Sequence, residues 1–303
     1  MGEYIRQHTV PQIYLKSFTA PNGKCFVYDK TTDKHFTAAP KDIMNIRNFY
    51  DFLDSLPKPD TGHEVDPKFI EKILGKVDDF YVNIRNAISE NTGGIVPAKN
   101  VGIWFEIYRF IAIQMMRTPS GREMLLKTYD GIVKNEIPEE FKNVLLAKEI
   151  INTINCENET PVFLEYLLQE FGHICIGINT TSLPLISSDI PVILIRDKKN
   201  KDFIYFPVTP HRCVFLYPKI KVESQQHNVI DDILNKKYEI HSVADIAQEA
   251  YRRETELYRK NNPLIKNLSA DEILKLNTAC YILSSRQVIS SEEIVKGTTF
   301  IKP

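Results

Sequence analysis

At Gly172 the spacing of apolar residues changes from three or four to two, and that switch limits what the chain can become. Upstream, Phe69, Ile70, Ile73, Leu74, Val77, Phe80, Tyr81, Ile84 and Ile88 recur at helical spacing. Asp66 and Pro67 are placed as N-cap and first helical residue, and Gly93 and Gly94 as the stop. Residues 101–117 form a second helix, apolar on more than one face, which predicts a buried central position. Residues 120–134, 141–154 and 161–171 complete a helical block over about residues 66–171. Downstream, residues 173–179, 183–187, 192–197, 203–208 and 213–217 are short apolar runs split by Pro, Asn, Asp and Lys. That is the pattern of antiparallel hairpins, one of them turning across residues 197–201. Two helices close the chain, 243–259 and 270–283, the latter with Ser269 and Glu272 placed as a capping box.

Before the helical block, Val10, Ile13, Tyr14 and Phe18 describe a short amphipathic helix with Pro11 just inside its start and His8 at the edge of its first turn. Residues 24–29 and 34–38 flank a Thr/Asp-rich turn and read as a hairpin. Residues 42–47 suit one helical turn, 48–52 a short strand and 57–62 a proline-rich connector. The expected architecture is α+β: one domain over residues 1–303, in which the helical block packs on an antiparallel β-rich half (172–303). The N-terminal segment (1–60) is expected between them.

Lys and Arg number 38 against 39 Asp and Glu, a net charge of -1, so no global field draws the chain onto a polyanion and any nucleic-acid site is a local patch. The five cysteines are scattered and never in a C-x-x-C pair, which argues against a disulfide framework and a zinc ribbon. No segment approaches the ~20 apolar residues of a membrane span, and the N-terminus lacks a signal-peptide apolar core. A cytoplasmic protein with no membrane partner is expected.

Polar residues stand where the pattern calls for apolar ones. Gln114 and Arg117 share a face of the central helix, just before Thr118 and Pro119. A buried arginine needs a carboxylate partner or an anion, since leaving a buried charge uncompensated costs about 3–5 kcal/mol. Ser187-Ser188-Asp189-Ile190-Pro191 is either a self-satisfied turn or a carboxylate presented at strand ends, fit for a general base or a metal ligand. Asp189 with Asp197 and Lys199 loosely matches a D…(D/E)-x-K nuclease pattern, although Asp197 and Lys199 fall in the hairpin turn. No histidine pair has zinc-helix spacing, and there is no P-loop, dinucleotide-binding glycine turn, nucleophile elbow or kinase motif set. Arg252, Arg253, Arg259 and Lys260 make the helix from residue 243 basic on one side, a solvated face or a phosphate-tracking patch.

The opening His8-x-Val10-Pro11-x-x-Tyr14-Leu15-x-x-Phe18, followed by Phe26-Val27-Tyr28-Asp29-Lys30, resembles the signature of the bacterial domain-of-unknown-function family 4238. The resemblance continues at Gln114-x-x-Arg117-Thr118-Pro119, Ser188-Asp189-x-Pro191-Val192, Phe206-Pro207-Val208-Thr209-Pro210, and at Asn277 with Arg286. The family usually has Ser-Asp-Asn-Pro where this chain has Ile190, so a role for an amide there is absent. Some similar members occur in phage-defence neighbourhoods, a setting that an effector damaging nucleic acid or another essential metabolite would suit. The matched positions define an expected polar pocket. In it Arg117 clamps a phosphate, His8 moves a proton, and Asp189 orients His8 or holds a metal, Mg²⁺ being the candidate. Gln114, Asn277 and Arg286 position the substrate. The expected activity is nuclease-like phosphodiester cleavage, RNA favoured; the alternative is a non-catalytic sensor of a nucleotide or phage ligand.

Overall fold

A computed structural model of the chain describes residues 6–47, 49, 69–89, 101–133, 137–155, 161–196, 202–218 and 265–301. The strand expected at 48–52, the connector at 57–62, the helix start at Asp66, the turn with Asp197 and Lys199, and the basic helix at 243–259 lie wholly or largely outside these residues.

Four helices follow the long amphipathic α2 (Phe69–Ser89): α3 (Val101–Met116), α4 (Pro119–Val133), α5 (Glu139–Asn155) and α6 (Val162–Glu170). As its all-round apolarity predicts, α3 is central. Ile107, Phe110, Ile111, Ile113 and Met116 are sealed from solvent, and it packs against α2, α4, α5 and α6.

Phe171–Asn179 (β5), Ile193–Arg196 (β7), Asp202–Thr209 (β8), Arg212–Pro218 (β9) and Ile265–Leu268 (β10) form a five-stranded sheet in the order β10-β5-β9-β8-β7. Its pairings are antiparallel except one, β10 running parallel to β5. Both faces are covered. Ile174, Ile176, Ile204, Phe206, Val208, Val214 and Leu216 join the helical core, while the alternate residues Cys175, Tyr205, Cys213 and Phe215 join a second core.

That second core lies beneath α7 (Ala270–Leu283), whose N-terminus carries the expected Ser269–Glu272 capping box, and beneath a four-stranded sheet ordered β3-β2-β11-β6. Its members are β2 (Cys25–Asp29), β3 (Lys34–Ala38), β6 (Ser187–Ser188) and β11 (Gln287–Ser290). The hairpin β2–β3 is as expected, but the run at 183–187 contributes only its last residue, Ser187, to the two-residue β6, and β11 pairs with β2 across almost the whole chain.

The N-terminal segment is wedged between the layers. Tyr14, on α1 (Gln12–Leu15), donates its hydroxyl to the Pro207 carbonyl at 2.7 Å and stacks on Phe206. Tyr81 of α2 meets Tyr14 edge-on and donates to the Val208 carbonyl at 2.7 Å. Ahead of α1, His8 ends a strand, β1 (Arg6–His8), rather than sitting in a helical turn. Its antiparallel partner is β4 (Asn45–Arg47), in place of the helical turn expected over 42–47. No helix among the described residues is long and apolar enough to cross a membrane.

Candidate functional site

The site begins at the elbow between α3 and α4. Arg117 closes the last turn of α3 through its N–H to Ile113 O at 3.0 Å, and the Thr118 hydroxyl donates to Met115 O while accepting from the Gly121 N–H. Pro119 starts α4 without an unmet donor. Gly121 lets α4 pass the end of α3: a Cβ there would stand 1.8 Å from Met115 O. The sharp stop aims Arg117 and Gln114 at β1.

Both side chains grip consecutive β1-end carbonyls. Gln114 Nε2 donates to Thr9 O at 3.0 Å and Arg117 Nη2 to His8 O at 2.9 Å. The strand end is also held from its other side, since the Thr9 N–H and hydroxyl both donate to Met44 O and the Met44 N–H donates to Gln287 Oε1. Gln114 is 1 % and Arg117 4 % exposed, yet Gln114 Oε1 and Arg117 Nε and Nη1 have no hydrogen-bond partner. Among the described residues no carboxylate forms an ion pair with this guanidinium. A cation so enclosed, with three N–H vectors unanswered, offers donors of the kind an anion accepts from.

Two titratable groups feel its charge. Burial lowers the His8 pKa below 6.5, and Arg117 lowers it further against the opposing backbone hydrogen bonds at Lys41 and Pro40, so the imidazole is neutral at pH 7. Asp78, part-buried on α2, is pushed above the ordinary value of 3.8 by burial, with Arg117 and Lys16 pulling the other way. Asp78 was not among the residues expected from the sequence.

Asp189 does not orient His8. Its carboxylate accepts from the Ser285 N–H at 3.1 Å and the Arg286 N–H at 2.8 Å, just past the C-terminus of α7, and the charge acting on it is Lys30. Lys30 Nζ in turn donates to the carbonyls of Tyr281 and Ser284, satisfying that helix end. Arg286 reaches outward from the same knot to Asp29 at 2.8 Å. Asn277, fully buried, accepts from the Ile186 N–H and donates to Pro184 O and Thr299 O, using both donors and its carbonyl to tie α7 to the β6 approach and the chain's end. The six expected residues thus separate: His8, Gln114 and Arg117 meet at one place, Asp189 and Arg286 knot the four-stranded sheet to α7, and Asn277 is a buried tie. Among the described residues no group of three or more His, Cys, Asp or Glu could hold a metal ion.

No curated protein and no solved structure matches the chain. A family model does match, over residues 6–293, a span that takes in His8, Gln114, Arg117, Asp189, Asn277 and Arg286: the chain belongs to the family described as "Protein of unknown function (DUF4238)".

Proposed function

We propose that this chain is an effector of antiviral defence that cleaves phosphate esters in a nuclease-like reaction, RNA favoured, at the His8–Gln114–Arg117 site. The defence setting rests on the family resemblance. The chemistry rests on one observation: a buried guanidinium that, among the described residues, forms no ion pair with a carboxylate and has two nitrogens without acceptors, close enough to His8 for its charge to act on the imidazole. Arg117 would hold the phosphate oxygens, where negative charge grows on the way to the transition state. His8, neutral at working pH, would take the proton of the attacking oxygen. Asp78, the part-buried carboxylate on which the Arg117 charge acts, would take the place of Asp189 in this reading. The unpartnered atoms are closed to solvent, so substrate entry requires the covering chain to yield.

The test is incubation of the purified chain with end-labelled RNA and DNA, each with Mg²⁺ and with a chelator. RNA cleavage that falls at least about a hundredfold in both Arg117→Ala and His8→Ala, with little change in melting, is the expected result. Absence of cleavage under every condition overturns the catalytic reading.

A second reading, a nucleotide-sensing module, is favoured by the engagement of Asp189 elsewhere, which removes the carboxylate expected to orient the imidazole. Calorimetric binding of a nucleotide without turnover would select it.

A further inference from the structure

The unanswered groups of this site are of opposite kinds. Arg117 Nε and Nη1 are donors, whereas Gln114 Oε1 is an acceptor, and all three are buried. The amide orientation follows from its partner: Thr9 O accepts only, so Nε2 must face it and Oε1 must face away. An occupant that answers the site therefore brings acceptor oxygens for the guanidinium and a donor for the amide.

An internal phosphodiester has acceptor oxygens for the guanidinium but no proton of its own to give the amide. A phosphate monoester carries chain on one side only. Its second ionisation lies near pH ~6, so it presents P–O–H and anionic oxygens together in its singly protonated form. We infer that Arg117 and Gln114 together take a terminal phosphate monoester, on a free nucleotide or at a strand end, with Gln114 Oε1 accepting its proton-bearing oxygen. This rests on the phosphate-binding reading above and narrows it from internal bonds to chain ends.

Calorimetric titration of the full chain with inorganic phosphate, sulfate and dimethyl phosphate at about pH 6, where the singly protonated phosphate is well populated, tests it, because sulfate and the diester lack the proton. Phosphate should bind at least about tenfold more tightly than either. In Gln114→Met that preference should vanish while sulfate binding persists, which also reports an intact fold. Equal binding of all three overturns the inference and leaves the phosphate site standing. Binding of none overturns both and assigns these atoms to ordered water. Titration with a nucleoside monophosphate, and with RNA bearing a 5′-phosphate or a 5′-hydroxyl, then identifies the source. A preference for either phosphorylated species supports the proposal, and indifference to the phosphate counts against it.

Discussion

The Arg117 guanidinium meets His8 through the backbone, Nη2 to O at 2.9 Å, and not through a bond to the imidazole. The cation therefore fixes where the strand ends, and with it the place of the ring, while its other two nitrogens are buried without a hydrogen-bond partner.

Replacing this cation by an apolar chain of similar length should separate binding from stability. Arg117→Met should leave the chain as stable as before or more so, by up to roughly 1–4 kcal/mol, because a buried charge that forms no ion pair with a described carboxylate is removed. Phosphate binding should be lost. Denaturant melts with calorimetry check it, and a stability loss above about 2 kcal/mol would make the guanidinium a structural strut.

Asn277→Ala should do the reverse. It leaves Ile186 N–H, Pro184 O and Thr299 O without their partner inside the protein, a loss on the order of 3 kcal/mol. Activity per folded molecule should be unchanged. A stable but inactive variant would return Asn277 to the site.

Gly121→Ala sets a new Cβ against the Met115 carbonyl, a backbone group that cannot swing aside, and should destabilise by about 3 kcal/mol or more while weakening ligand binding through the displaced elbow. Gly131→Ala, with nothing within 4 Å on the same helix, should stabilise by about 0.5–1 kcal/mol. Thermal melts of the pair provide the comparison.

Asp189 gives a stability slope whose sign is set by burial. Its pKa is raised because desolvation exceeds the help of the Arg286, Gln287 and Ser285 backbone bonds, so the folded chain holds its proton more tightly than the unfolded chain does. Wild type should therefore gain stability relative to Asp189→Asn as pH falls from neutral toward 3.8. Asp29 runs the other way: burial pushes it up, but bonds from Thr31 and Arg286 win and hold it well below 3.8. Its contribution is present above that value and is lost as pH falls further. Denaturant melts across pH check both, and a wild-type-minus-variant difference that falls on acidification would contradict the assignment of Asp189.

His8, whose pKa is lowered first by burial, should yield activity that rises through a midpoint below 6.5 and stays level toward neutral pH. A pH–rate profile with its midpoint above 6.5 would assign proton transfer to another group.

What could be read from the residues divides by range of interaction. The periodicity of Phe69 to Ile88, the all-round apolarity of α3 and the Ser269–Glu272 box are local properties, and each element formed as expected. β1, β10 and β11 are three or four residues long and owe their existence to partners up to most of the chain away, which no local pattern encodes. The pairing of Gln114 with Arg117 was legible because i, i+3 spacing fixes a shared face. Asp189 and Asn277 misled because an oxygen that ties backbone groups and one that serves a substrate are the same residue type. Asp78 was missed because only the fold brings the Arg117 charge to bear on it.

The place of β11 between β2 and β6 also governs how the molecule is made. On the ribosome β2 and β3 emerge early, whereas Gln287–Ser290 follows only after some 250 further residues, on the order of tens of seconds later. Throughout that interval the nascent hairpin has an open hydrogen-bonding rim, a place where a holding chaperone would act.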